Sequence, residues 1–472
     1  MSGYGNGRRV AIVAGLRTPF TRAGTTMRAS TAEDLGRTVV SELVARTGID
    51  GTMVDVLVFG TVVPNVLAPN IAREVALSPA LSKGVQAYTV SRACASANQA
   101  ITDAADQIAL GHADIAIAGG AESLSNIPIL HSRGFSDALV AASKAKTFGA
   151  RVGALARIRP RDLIPITPAI AEQTTGETMG QSAEKMAKIN HIPRDEQDQF
   201  ALRSHRLAAA GTQDGRLTAE IMPFYAAPNY EKWETSDNGI RTDTSLEQLA
   251  ALKPVFDRKD GSVTAGNSSP LTDGAAAVLL MSEEKARALG FPPIAFIRSY
   301  AFAALDPGEQ LLQAPVLAAP VALKRAGLTL KDMDVVELHE AFAALDPGEQ
   351  LLQAPVLAAP VALERAGLTL KDMDVIELHE AFAAQVLCNL KGFESQWWAE
   401  RAGYSKPVGT VDRSKLNVMG GSIAIGHPFG ATGSRIVTTL ANELHRRGAQ
   451  FGMLSVCAAG GLGCVMVLEN AA

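Results

Sequence analysis

Hydrophobic and polar positions alternate along this chain in two rhythms. Short β-branched runs at residues 9–13 (RVAIV), 54–59 (VDVLVF) and 114–118 (DIAIA) read as strands. Between the last two, residues 97–110 set Ile101, Ala104, Ala105 and Ile108 at helical spacing. The last third repeats the style. VIEL at 375–378 precedes His379, a Gly-rich turn spans 419–433, a helix is expected over 434–447, and MLSVCAA (453–459) and CVMVLEN (464–470) read as strands. Strands alternating with helices predict an α/β architecture with helix-covered sheets. Residues 125–260 are less regular, with a long polar helical stretch at 180–215 and an acidic-aromatic loop at 225–246. Gly290-Phe291-Pro292-Pro293 ends a helix before a new strand and divides the chain into 1–290, which includes that loop region, and 291–472.

One segment is written twice. Residues 301–340 and 341–380 differ only at Lys324/Glu364 and Val336/Ile376, and each copy closes on His-Glu. Two units do not make a solenoid, which needs about three stacked repeats to bury a continuous core. Each copy holds a Pro/Ala-rich helix (315–327; 355–367) and a strand (335–338; 375–378). A close-packed interior admits no spare element without repacking, so one copy is expected outside the core fold, expelled near 305–309 or in the AGLTLKDMD loop. His379 leads into AFAAQVLCNLKGF, an apolar-periodic helix, whereas His339 leads into AFAALDPGEQ, where Asp-Pro-Gly stops a helix. His379 is therefore expected to be the working histidine.

Composition narrows the classes. The 472 residues are 47% hydrophobic but only 5% aromatic, a mix suited to close helix-on-sheet packing. A formal net charge of −4 argues against nucleic-acid binding by overall charge. Four cysteines without a CxxC indicate neither a zinc knuckle nor a disulfide framework. The N-terminal stretch lacks a secretory or transit pattern, and no apolar run reaches about 18 to 20 residues. A cytoplasmic location is the expectation.

Candidate chemistry sits where strands end. Cys94, in YTVSRACASANQAI, closes an extended stretch and opens a small-residue helix, so the helix N-terminus is expected to lower its thiol pKa. A small buried hydrophobe is the plainer reading of a lone cysteine. In GGSIAIGHPFGATGSR (420–435), His427 projects from a glycine-framed turn, with Pro428 suited to a first helical turn. The stretch fits neither a Walker loop nor a dinucleotide fingerprint, and histidine is the commonest general base. In SVCAAGGLGC (455–464), Cys457 follows an apolar strand and precedes a backbone able to aim N–H donors at an anion. Cys464 and Cys388 read as core. With His379 at a strand-to-helix junction, these residues supply a nucleophile, a base and a second acid/base pair, which is the equipment of a thioester enzyme.

The stretches around Cys94, His379, His427 and Cys457, with TAGNSSPLTDGAAAVLLMSEEKA at 264–286, resemble thiolases in that family's order over nearly the whole chain. The HEAF form and SNIPILHSRGF are similar to its long-chain 3-ketoacyl-CoA branch, the β subunit of the trifunctional fatty-acid oxidation complex and bacterial relatives. The resemblance implies a five-layer α-β-α-β-α sandwich of two similar halves, assembled as a homodimer or homotetramer. It implies Cys94 as the acyl-carrying nucleophile, His427 as its activator, Cys457 as the proton shuttle at the CoA thiol or acetyl α-carbon, and His379 at one oxyanion site. Backbone N–H groups of Cys94 and Ala459 would form a second oxyanion site, where the family usually has Gly rather than Ala459. Each such donor is typically worth about 3 to 4 kcal/mol. Met179, Ala265, Ser269 and Phe382 match positions lining the pantetheine tunnel. The implied activity is cleavage of 3-ketoacyl-CoA by CoA to acetyl-CoA and a shortened acyl-CoA, with coenzyme A as substrate and no metal or redox cofactor. Biosynthetic condensation of acetyl-CoA and a silent acyl-CoA-binding scaffold are the competing readings.

A basic stretch at 133–161 carries Arg133, Lys144, Lys146, Arg151, Arg157, Arg159 and Arg161 against Asp137 alone, interleaved with apolar residues. It reads as a solvated face, a CoA-phosphate cradle, a membrane-surface patch or a dock for a hydratase/dehydrogenase partner subunit. The resemblance favours the last two.

Overall fold

The alternation of β-branched and Ala-rich segments becomes two matched halves. The computed structural model describes residues 8–166, 171–304, 308, 321–323, 325–328, 335–339, 377–396, 407 and 410–471. The first half runs β1 (Val10–Arg17), β2 (Thr21–Arg22), α1 (Ala32–Thr47), β3 (Val56–Gly60), α2 (Ile71–Ala76), β4 (Gln86–Val90), α3 (Ser96–Ala109) and β5 (Ile115–Glu122). An excursion follows: α4 (Arg133–Lys144), α5 (Phe148–Leu155), α6 (Met179–Ile189), α7 (Arg194–Gln213), the hairpin of β6 (Phe224–Tyr225) and β7 (Trp233–Glu234), and α8 (Leu246–Ala250). The chain then returns as β8 (Thr272–Ser282) and α9 (Glu283–Leu289). The second half holds β9 (Ala295–Ala304), β10 (Val335–His339), β11 (Glu377–His379), α10 (Ala383–Phe393), α11 (Ser422–Ile425), α12 (Thr432–Arg447), β12 (Phe451–Ala458) and β13 (Leu462–Asn470).

The halves share one pairing scheme. The first orders its strands β4-β3-β5-β8-β1 and the second β11-β10-β12-β13-β9. In both, the first two pairings are parallel and the last two antiparallel. The sheets meet where Ala11 and Ile12 of β1 face Phe296 and Ala295 of β9. Helices α3 and α12 lie between them in one apolar cluster, which takes Val56, Val58 and Val278 from the first sheet and Leu454, Val456 and Met466 from the second. A second cluster joins α1 and α2 to the outer face of the first sheet, and a third joins α6, α7 and α10 to the outer face of the second. These are the five layers α-β-α-β-α. Strands buried on both faces explain the near-continuous apolar runs of β5 and β8.

Where the structure departs from the sequence expectations, tertiary context is the reason. The polar stretch 180–215 is two helices, α6 and α7, separated at a Pro193 N-cap. Pro428 does not open a helix. Its carbonyl accepts from the N–H groups of Ala431 and Thr432, and α12 begins only at Thr432. The glycine-rich turn also contains the short helix α11.

The expectation of one strand slot for the duplicated unit is corrected. β10 of the first copy lies inside the sheet against β12, and β11 of the second copy adds outside it in register, Glu337 with Glu377, Leu338 with Leu378 and His339 with His379. A sheet edge carries unpaired N–H and C=O groups, so it accepts a further strand without disturbing the interior. The helix expected at 355–367 and most of the one at 315–327 lie outside the described residues, as do 305–307, 309 and the AGLTLKDMD loop of the second copy.

Candidate active site

The turn that carries Cys94 is sharp. Ala93 has a positive φ of 44°, a region L-residues rarely occupy, immediately before the cysteine. The Ser96 hydroxyl fixes the turn by donating to the Ala93 carbonyl (2.6 Å) and accepting from the Arg92 N–H (2.8 Å). Cys94 therefore sits two residues ahead of α3 rather than within its first turn. The backbone N–H of Ala459, just past the end of β12, reaches its sulfur, and the N–H of Cys94 itself faces it. The two donors expected to form an oxyanion site thus converge on the nucleophile candidate.

The expected lowering of the Cys94 thiol pKa is corrected. Burial dominates and, with the nearby Glu122 carboxylate adding to it, pushes the thiol up to about 12 against those two N–H groups. Cys94 is half-buried, and its sulfur loses more from lost hydration than it gains from a helix that begins two residues later. At rest the group is a thiol.

His427, the candidate base, is held neutral by its surroundings. It is almost fully buried, and burial, reinforced by the Arg435 charge, lowers its pKa to about 3, so the imidazole is neutral. Its backbone N–H donates to Thr272 Oγ1 at 3.0 Å, and its Nδ1 lies 2.6 Å from Thr432 Oγ1. The Thr432 hydroxyl donates to the Pro428 carbonyl at 3.0 Å. With the Thr432 proton on that carbonyl, its oxygen accepts from His427 Nδ1–H, the tautomer that puts the basic lone pair on Nε2. Gly426, at φ 108°, turns the chain into His427 in a conformation that glycine supplies freely.

Two buried carboxylates hold this turn, and sequence reasoning assigned neither a role. Glu122, at the end of β5, accepts from the backbone N–H groups of Val62 (2.9 Å), Val63 (3.0 Å) and Gly430 (2.9 Å) and from the Thr61 hydroxyl (3.2 Å). It fastens the His427 turn of one half to the β3 loop of the other. The approach is close: a Cβ on Gly120 would lie 1.8 Å from the Gly430 carbonyl oxygen. Glu380, next after His379, takes hydrogen bonds from Ser204 and from Asn417 Nδ2 (3.1 Å), while Ser204 Oγ accepts from the Gly421 N–H at 3.0 Å. Burial raises both carboxyls to about 7, against these donors. Their only sequence signal was an acidic residue inside an otherwise apolar strand end, GGAES, and the Glu of HEAF.

Cys457 lies near the end of β12, 1% exposed, and Gln385 of α10 donates from Nε2 to its sulfur at 3.5 Å. His379 ends β11 directly before Glu380. The chain after it is locked to the 264–272 segment: Ala381 accepts from Ser269 N–H (2.8 Å), Asn267 accepts from Ala383 N–H (2.9 Å), and Phe382 bridges Ser268. Phe382 meets Phe256 edge-to-face at 6.3 Å, and Met179 at the start of α6 joins the same cluster. Of the four expected pantetheine contacts, Phe382 and Ser269 thus share one backbone pairing, Met179 lies against Phe382's cluster, and Ala265 is exposed on the adjoining segment. Cys388 and Cys464 are fully buried, as expected of core residues. Among the described residues, no group of three or more His, Cys, Asp or Glu is placed to hold a metal ion.

A thiol met by two backbone N–H groups, a neutral imidazole and a second, buried thiol are equipment suited to passing an acyl group between sulfurs, and the protein is an acyltransferase. Residues 10–284 match the thiolase N-terminal domain and residues 291–348 and 344–470 the thiolase C-terminal domain, the second match breaking within the duplicated region. The chain belongs to the thiolase family. It is 48% identical over 464 residues to 3-ketoacyl-CoA thiolases of Yersinia pestis (strain Pestoides F) and Yersinia pseudotuberculosis serotype O:1b (strain IP 31758), covering 98% of this chain and 97% of theirs. Among solved structures it is similar to the Bacillus anthracis acetyl-CoA acetyltransferase, with a TM-score of 0.74 and 31% identity over 98% of this chain and 99% of that one.

Proposed function

We propose that the protein cleaves 3-ketoacyl-CoA with CoA, giving acetyl-CoA and a shortened acyl-CoA, in the degradation of fatty acids. His427 Nε2 takes the Cys94 proton, and the sulfur attacks the substrate's 3-keto carbon. The bond between C2 and C3 breaks, and its electron pair stays on the departing acetyl-CoA carbon, which takes a proton from Cys457. CoA then gives its thiol proton to Cys457 and attacks the acyl carbon, and Cys94 leaves, taking its proton back from His427. The N–H groups of Cys94 and Ala459 hold one oxyanion, and His379 serves the other. Met179, Ala265, Ser269 and Phe382 line the pantetheine path. No electrons are exchanged, so the chemistry calls for neither a redox cofactor nor a metal.

The observation that carries this reading is the Ala459 N–H on the Cys94 sulfur, which joins the strand of the second thiol to the turn of the first. The 48% identity to 3-ketoacyl-CoA thiolases supports the degradative direction. Likeness to an acetyl-CoA acetyltransferase supports biosynthetic condensation as the second reading. CoA-dependent cleavage, measured on acetoacetyl-CoA and on a long-chain 3-ketoacyl-CoA, tests the proposal. Faster turnover of the long chain is expected, and activity confined to acetoacetyl-CoA would favour the second reading.

The same reading includes a homo-oligomer and a cytoplasmic location. β4, the half-buried end strand of the first sheet, is where a second copy would extend the sheet. Helices α4 and α5 would lie against an anionic membrane surface. Phe148, Ile129 and Ile164 are 82%, 70% and 65% exposed, among basic side chains that are all exposed. Apolar side chains ringed by Arg and Lys suit the headgroup boundary. No helix among the described residues is long and apolar enough to cross a membrane.

A further inference from the structure

The duplication places two nearly identical strands side by side, and the chain that follows them first differs at Leu345 and Gln385. Gln385 is fully buried on the first turn of α10. Its Oε1 accepts the Phe382 backbone N–H at 3.1 Å, and its Nε2 donates to Cys457 Sγ at 3.5 Å. The orientation of this amide is set by chemistry: a backbone N–H can be met only by the oxygen, so the NH2 end must face the sulfur. The helix cap and the thiol are therefore read by one side chain. Six residues after His339, the corresponding position is Leu345 rather than glutamine.

We infer that Gln385 is a positioning residue for Cys457, holding its sulfur at the reacting carbon, and that it makes the segment after the second copy the one able to complete the site. An amide N–H aimed at sulfur favours one rotamer of a small side chain and stabilises charge that develops on it during proton transfer. Leucine has neither donor nor acceptor. A chain that seated the residues after His339 in this position would leave the Phe342 N–H without its cap and Cys457 without its amide. The inference rests on the proposed acid/base role of Cys457.

Two variants separate positioning from helix structure. Gln385→Leu installs the residue of the first copy and removes both hydrogen bonds. Gln385→Glu keeps the oxygen that caps Phe382 but, when ionised, has no donor for the sulfur. The expected result is a loss in kcat of at least tenfold in both, with KM for the 3-ketoacyl-CoA changed less than threefold. The Glu variant should regain rate as pH falls and its carboxyl takes up a proton, in contrast to the Leu variant. Alkylation of Cys94 by limiting iodoacetamide should keep its parental rate, which reports an intact first half of the site. If the Leu variant does not fold, the Glu variant decides alone. A folded Glu variant with parental kcat and an unmoved pH profile would overturn the inference and leave Gln385 a helix cap. Activity in Cys457→Ala would instead remove the reading beneath it, which distinguishes the two failures.

Discussion

At the scale of single residues, burial decides more than sequence neighbourhood does. Cys94 reads from the sequence as a helix-end thiolate, but α3 starts at Ser96 and the half-buried sulfur stays protonated, its pKa pushed up to about 12. Burial keeps the His427 imidazole neutral. His427 also links folding to pH. Its folded pKa, about 3, lies below the unfolded value near 6.5, so the unfolded chain takes up the proton first. That contribution to stability is fully present above pH 6.5 and is lost as pH falls from there towards 3. His427→Asn should therefore flatten the drop in stability between pH 7 and pH 4.5, by up to about 2 to 3 kcal/mol for a fully suppressed protonation. Urea unfolding at the two pH values measures it. An equal drop in both proteins would mean that this imidazole titrates normally.

Which residues were legible follows from the same point. Cys94, His427 and Cys457 stand at strand ends or in glycine-framed turns, local patterns a single sequence displays. Glu122 and Gln385 act on groups far away in the chain, Gly430 and Cys457, and no local pattern marks them.

At the scale of elements, one tetrapeptide shows how far context overrides propensity. Ala-Phe-Ala-Ala at 301–304 ends β9, paired residue by residue with β13. The same letters at 381–384 turn into α10, where Phe382 bridges Ser268 and helix begins at Ala383. Ala-rich stretches carry no strong preference of their own when the partner strand is present. The strands themselves were legible from β-branched runs, whereas the shared use of the sheet by β10 and β11 was not, because it depends on the edge beyond β12. The duplication divides its labour accordingly, with the inner strand from the first copy and the helix against Cys457 after the second. Deleting 341–380 leaves one copy ahead of AFAAQ, and this chain should keep or raise both activity and melting temperature. In the full chain, His379→Ala should reduce turnover at least a hundredfold and His339→Ala less than threefold. The reverse order would assign the work to the histidine of the inner strand.

The α4–α5 excursion is a second element whose role is separable. It is pinned at its base by the Leu130–Ile166 bridge and buries little beyond Ala138, Ala142 and Ala154. Charge reversal at Arg157, Arg159 and Arg161 should weaken binding to phosphatidylserine-containing vesicles severalfold at low salt while sparing acetoacetyl-CoA cleavage. Vesicle binding unchanged across a salt series would leave a solvated face. Loss of activity on the short substrate would point to contacts with CoA phosphates, and a hydratase/dehydrogenase subunit bound instead would mark a protein dock.

At the scale of the molecule, two halves with one pairing scheme bring their strand ends to a common site. Cys94 comes from the first half, His427 and Cys457 from the second. Glu122 crosses between them to grip Gly430, so the arrangement holds only when both halves are docked. The five layers were implied by family resemblance and are visible in the three apolar clusters. The central claim is that Cys94 carries the acyl group. The direct measurement is intact-protein mass spectrometry after mixing with a 3-ketoacyl-CoA in the absence of CoA, with peptide mapping of any adduct. A single shortened-acyl adduct on Cys94, discharged on adding CoA and absent from Cys94→Ala, is the predicted result. An adduct on Cys388, Cys457 or Cys464, or undiminished turnover in Cys94→Ala, would contradict it.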